Sequence, residues 1–203
     1  MRSFVTNAQA IRLDHEDYLK DFFRYFDRAN DSFLKLERGQ SFREPGVPSF
    51  EAFASGDWEA SLRLIGQEAT DTKAYFNGLR ERRVRAIRVR IVELPLTPYL
   101  QWEFWVLRRN QALGEEVRVV DLTTLRAAHG SDYDVPELAI IDSSVAYEVL
   151  YDEGGMNIGA RKLVDTHAIE VCRQTTIELF EEGEPLDGFF EQYVEPLPPP
   201  RHS

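Results

Sequence analysis

Apolar residues recur at three- and four-residue steps between Asp14 and Ala29, where Tyr18, Leu19, Phe22, Phe23 and Phe26 share a face. That pattern predicts an amphipathic helix, with Asp14 as its N-cap. An extended piece is expected around Ser32 to Leu36. It leads into a Gly- and Pro-containing loop from Glu37 to Gly46 that brings Glu37, Gln40, Arg43 and Glu44 near one another, as a lid, a binding loop or ordinary surface. Pro48 to Ala54 reads as a short helix. A longer one follows from an Asp57 cap and carries Trp58, Leu62, Ile65, Phe76 and Leu79.

The β-branched run Val84 to Val92 predicts a strand. Thr97-Pro98 is a strong helix start and Gly114 a natural stop, so a helix is expected between them. Glu116 to Asp121 is the next strand, which makes a strand–helix–strand unit and hence a parallel pair with a right-handed crossover. Glu137 to Ile141 is a third strand. Ala146 to Tyr151 and Met156 to Leu163 flank Asp152-Glu153-Gly154-Gly155 as a hairpin, and Thr166 to Glu182 is a final long helix. The expected fold is α/β (or α+β), with one mixed sheet in a single domain over residues 1–203. Residues 1–80 are mainly helical, 81–195 form the α/β part, and 196–203 are an extended tail.

Composition narrows the class. The chain has 203 residues, 43% of them apolar, with a net charge of −11. That is a globular profile, and an acidic one that sets the surface as a whole against nucleic acid. A single Cys excludes a disulfide scaffold or a multi-Cys metal site. No apolar run exceeds four residues and the N-terminus lacks a signal-peptide core, so a soluble, cytoplasmic protein without a membrane span is expected. The charge is unevenly placed. Arg80, Arg82, Arg83, Arg85, Arg88 and Arg90 fall within eleven residues, whereas nine acidic residues from Asp165 onward face only Arg173 and Arg201. The two regions could satisfy each other within the fold or serve separate partners.

The densest chemistry lies between Arg88 and Glu103. On a strand, Arg88 and Arg90 point away from Ile87, Val89 and Ile91. On the helix that follows, Tyr99 and Glu103 share a face with Trp102 beside them. A carboxylate on so apolar a helix needs a cationic partner, and the Arg pair supplies it. One reading is an internal network that fixes helix to sheet. The other is a pocket at the carboxyl end of a strand, with the Arg pair holding an anion and Glu103 and Tyr99 available for acid–base chemistry.

Standard catalytic patterns are missing. His15, His129, His167 and His202 form no metal-ligand spacing, and no nucleophile elbow, Walker loop or dinucleotide-binding glycine motif is present. No metal or cofactor is expected. Cys172, on the last helix, reads as a small buried hydrophobe.

The run Arg88 to Glu103, followed by Gly114-Glu115-Glu116-Val117-Arg118, resembles an uncharacterised actinobacterial domain family. Its signature is Arg-Val-Arg-Val-Val, then Pro-Leu-Thr-x-Tyr-Leu-x-Trp-Glu, then Gly-Glu-x-Ile-Arg. Ile91 and Val117 are mild departures, and Leu36 to Gln40 with Gly56-Asp57-Trp58 suggests a longer branch. The resemblance covers roughly residues 34–165. Genes of that family often lie near helix–turn–helix regulators, which implies regulatory work with a protein partner such as a DNA-binding regulator. Matched to the signature, the polar positions of interest are Arg88, Arg90, Tyr99, Glu103, Glu115 and Arg118. The expectation is therefore a non-enzymatic regulatory or binding protein in which Arg88, Arg90, Trp102, Glu115 and Arg118 contact a small anion. The alternative is a small enzyme using Glu103 and Tyr99 on an anionic, nucleotide-like or phosphorylated metabolite.

Overall fold

Side-chain alternation along neighbouring strands sets the architecture of the chain, whose computed structural model describes residues 1–67 and 69–200. Strand β2 (Ser32–Glu37) turns Leu34 and Leu36 to one face and Phe33, Lys35 and Glu37 to the other. It pairs in parallel with β3 (Arg85–Val92), with Lys35 opposite Arg88 and Glu37 opposite Arg90. Strand β4 (Glu116–Asp121) continues the parallel set beyond β3, and the expected strand–helix–strand unit is thus a parallel pair. Four more strands run antiparallel: β5 (Leu138–Ile141) on β2, then β6 (Val145–Tyr151), β7 (Asn157–Leu163) and β1 (Ala10–Leu13). The two-residue β8 (Glu184–Pro185) lies against β4 at the far edge. The mixed eight-stranded sheet has the order β1-β7-β6-β5-β2-β3-β4-β8 among the described residues.

The N-terminal third is therefore not simply a helical front. It contributes one edge strand, and the extended piece at Ser32 becomes a central strand of the sheet. The helix expected from Asp57 to Leu79 is seen as α4 (Trp58–Gln67) and α5 (Ala69–Glu81), and residue 68 between them lies outside the described residues. Short elements escaped the pattern: α1 (Arg2–Asn7), β1, α7 (Leu122–His129) and α9 (Leu186–Tyr193). In the C-terminal tail, Arg201 and His202 lie outside the described residues.

Helix packing divides by face. Helix α8 (Thr166–Glu182) lies on the face of Leu34, Leu36, Val89 and Ile91, joined by α1 and α7. The opposite face carries two separate apolar clusters. One gathers α3 (Pro48–Ala54), α4, α6 (Pro98–Leu113) and α9 over β4; the other gathers α2 (His15–Phe26) and α5 over the β5–β7 side. Between the clusters run Lys35, Glu37, Arg88 and Arg90, a strip of charge along the middle of the sheet.

Helix α6 is anchored as its sequence implies. Thr97 accepts a hydrogen bond from the Leu100 N–H at 3.1 Å, Pro98 needs no donor in the first turn, and Gly114 closes the helix at a φ of 118°.

Candidate functional site

The charged strip is built from the register. Because Lys35 and Glu37 lie opposite Arg88 and Arg90, their four side chains emerge on one face, beneath α6 and the loop that follows β2. Arg90 is completely enclosed. Its Nε donates to Glu103 Oε2 at 2.7 Å and its Nη1 to the carbonyls of Ile91 and Glu37 at 3.0 and 3.2 Å, while Nη2 donates to the Gly39 carbonyl. Arg90 thus ties α6 and the post-β2 loop to the sheet, and it is not part of the wall of any cavity described below. The sequence expectation that Arg90 contacts a ligand is corrected on that ground: a side chain with no exposed surface cannot be reached.

Arg88 is held differently. Its Nε donates to Glu115 Oε1 at 2.8 Å and its Nη1 to Glu37, whereas Nη2 has no acceptor among the described residues. Glu115, the residue after the Gly114 cap, also accepts from Asn110 Nδ2 at 3.1 Å, and so serves as a buried brace for Arg88. Lys35 pairs with Glu37 from the other side.

Two adjoining cavities open here, of about 310 and 450 Å³, and both are walled by Lys35, Arg88, Arg109 and Asn110. The smaller lies between the post-β2 loop and α6. Glu44, Tyr99, Trp102 and Glu103 line it. The larger is bounded by Phe33 of β2 and by Tyr75 and Phe76 of α5. The loop from residues 38 to 47 is a fixed wall. Glu137 accepts from the Arg38 and Gly39 N–H groups at 2.8 and 2.5 Å, Gln40 accepts from the Glu93 N–H at 2.8 Å, and Arg43 donates its N–H to the Gly155 carbonyl.

Within the smaller cavity the Tyr99 hydroxyl stands 3.2 Å from Glu44 Oε1 and 3.3 Å from Glu103 Oε1. A phenol has one hydrogen, so it donates to one carboxylate; the second contact is satisfied when the other carboxyl is protonated and donates in turn. The surroundings favour that proton. Burial pushes the Glu103 carboxyl up in spite of its Arg90 partner, and burial pushes Glu44 up as well, with Glu103 and Glu37 adding to it against Lys35. Burial raises the Tyr99 hydroxyl too, reinforced by the two carboxylates. Glu37 behaves oppositely. Burial alone would raise it, but Arg88, Lys35 and Arg90 together hold it well below the usual carboxylate range.

Of the residues singled out from the sequence, the structure thus brings Arg88, Tyr99, Trp102 and Glu103 to one cavity, with Glu115 behind Arg88. Arg118 is placed elsewhere. It lies opposite Val89 in the β3–β4 register, on the α8 face, with its guanidinium 5.4 Å from the Phe180 ring. Lys35, Arg109 and Asn110 were missed. Lys35 had a readable signal, since a cation between Leu34 and Leu36 in a buried strand marks a polar strip on the other face. Among the described residues the ion pairs of the basic run go elsewhere than the acidic last third: Arg85 pairs with Glu116, Arg88 with Glu37 and Glu115, and Arg90 with Glu103.

A larger hollow of about 800 Å³ lies at the opposite end of β2, among Arg24, Arg28, Asp31, Asp142 and Arg173. It borders the residues that lead into β2, and two of its Arg pair with Asp21 and Asp31. No helix among the described residues is long and apolar enough to cross a membrane. Residues 20–191 match a family described as a domain of unknown function (DUF6879). No curated protein matches the chain.

Proposed function

We propose, from the premise that the chain belongs to the DUF6879 family, that it is a non-enzymatic regulatory protein whose cleft above Lys35 and Arg88 binds a small anionic ligand. The observation that carries this reading is Arg88. Two carboxylates fix its guanidinium in place, its Nη2 has no acceptor among the described residues, and it borders both cavities. A guanidinium oriented in advance loses little freedom when an anion docks. Lys35 adds an ammonium with donors beyond its pairing to Glu37. We place the protein in the cytoplasm, which suits Cys172 as a free, buried thiol, with a protein partner such as a DNA-binding regulator reading the occupancy of the cleft.

Thermal melting against inorganic phosphate and against acetate, at constant ionic strength, tests the reading. Wild-type protein should show a saturable rise, reaching about 2.7 kcal/mol at a hundredfold excess over Kd. Arg88→Ala should lose it. Because that variant leaves Glu37 and Glu115 without their partner, Arg88→Lys serves beside it, keeping the charge and one pairing while weakening the response. An absent rise in wild type, or an equal rise in all three, would overturn the proposal.

A second reading is favoured by one observation, the Tyr99 hydroxyl set between Glu44 and Glu103. In that reading the three groups exchange a proton with an anionic metabolite in the cleft. Turnover by the purified protein, lost in Glu44→Gln with an unchanged melting temperature, would establish it over the binding role.

A further inference from the structure

We infer that the ligand of the cleft is a flat ring carrying one anionic group, with the ring in the chamber beside Tyr75 and the anion on Arg88 and Lys35. This rests on the proposed anion-binding role and names the chemical class that fills the remainder of the site.

The argument begins with the adjacency of the two cavities. They share their cationic wall, so an anion held by Arg88 and Lys35 has the larger chamber directly beside it. That chamber, of about 450 Å³, has three aromatic rings in its wall and is large enough for a mono- or bicyclic ring system. Phe33 and Phe76 are buried and give it an apolar floor. Tyr75 is 40% exposed, although it stacks on Phe26 with centroids 5.5 Å apart and planes 3° from parallel. Phe76, edge-on to it at 4.9 Å, fixes the ring further. A partly exposed tyrosine that lines the chamber and is locked by stacking on one face can serve as a platform for a second planar group.

The polar groups at the chamber's inner end point to a single anionic function. Among the described residues Arg88 has one nitrogen without an acceptor, because Glu115 and Glu37 take the others that donate. A polyanion would meet Glu37, Glu103 and Glu44 on the far side of Arg88, in the smaller chamber. A ligand that places its charge at the shared wall and its uncharged part among the rings avoids those carboxylates; Glu115, which does line the larger chamber, is already taken up by Arg88 and Asn110. Aromatic carboxylates and nucleoside monophosphates both have this form, and the two classes separate in the test by their anionic group.

Titration calorimetry of the full chain with five probes distinguishes the possibilities: adenosine 5′-monophosphate, indole-3-acetate, adenosine, inorganic phosphate and acetate. At least one ring-bearing anion should bind about tenfold or more tighter than its bare anion, phosphate or acetate, and adenosine should bind more weakly than the monophosphate. Tyr75→Ala should bring the ring-bearing anion back to the affinity of the bare one while leaving the bare anion unchanged. Tyr75→Leu, which keeps apolar packing on Phe26 but removes the flat face, should do the same and guards against a loss of folding. If phosphate or acetate binds as tightly as the ring-bearing probes, or if both Tyr75 variants bind them like wild type, the inference fails while the anion-binding role stands. If no anion binds at all, both fail together.

Discussion

Two arginines two positions apart on one strand have opposite fates, and the difference is one of remaining donors. Arg90 is enclosed, and its bonds to Glu103 and to three carbonyls connect strand, helix and loop. Removing it strands a buried carboxylate, so Arg90→Ala should cost about 3–5 kcal/mol in denaturant unfolding, far more than a change at Arg118 on the other face. An Arg90→Ala protein as stable as wild type would contradict the structural role. Glu137 makes a sharper prediction. Burial, opposed by Arg90 and by the Arg38 and Gly39 N–H groups, pushes its carboxyl up to about 7 from an ordinary 4.5. The fold thus favours the protonated form. The stability Glu137 contributes is fully present below pH 4.5 and is lost as the pH rises through about 7. Glu44 and Glu103, also raised, act in the same direction, whereas Glu37, held low, contributes stability that is lost as the pH falls toward its own depressed range. Melting temperatures at pH 5 and pH 8 should therefore fall less in Glu137→Gln than in wild type. An equal fall would show that Glu137 does not titrate in that window. Burial also pushes the Cys172 thiol up to about 12, so a thiol reagent should modify it only on unfolding.

At the scale of elements, the readable part of the chain was the part with strong local signals. The cap and stop of α6, the β6–β7 hairpin around Asp152 and the run of α8 all stood in the sequence, because each depends on neighbours within a few residues. Arg88 and Arg90 on one face, and Tyr99 near Glu103, followed from strand and helix periods alone. What depended on register did not. Alternation separates Arg118 from Val117 and Val119, but only the pairing of Val89 with Arg118 shows which of them shares the face of Arg88. Strand β1 was hidden for a related reason. Its four residues are half-buried or exposed at a sheet edge and show no clear alternation. Its seating depends on Gly159 of β7, which has a φ of 115° and lies so close to Leu13 that an added Cβ would stand 2.1 Å from the Leu13 carbonyl oxygen. Gly159→Ala should cost at least about 1–3 kcal/mol from the backbone strain alone. It should also release β1, seen as faster hydrogen exchange across residues 10–13. Unchanged exchange there would mean that the edge tolerates the side chain.

The whole molecule gives the net charge of −11 a different meaning from the one composition suggests. The sheet face opposite α8 is divided into two apolar clusters, and the charged strip between them holds cations and carboxylates in near balance. Ordinary globular packing leaves such a strip closed; here two cavities reach it, and Arg88 enters both walls. The competing site is the larger hollow at the amino end of β2, which also presents arginines. A crystal structure of the wild-type chain soaked with the tightest-binding anion of the titrations decides between them. The account predicts density in the cleft, with the anionic group within hydrogen-bond distance of Arg88 Nη2 and of Lys35. An empty cleft, with the anion instead among Arg24, Arg28 and Arg173, would contradict it.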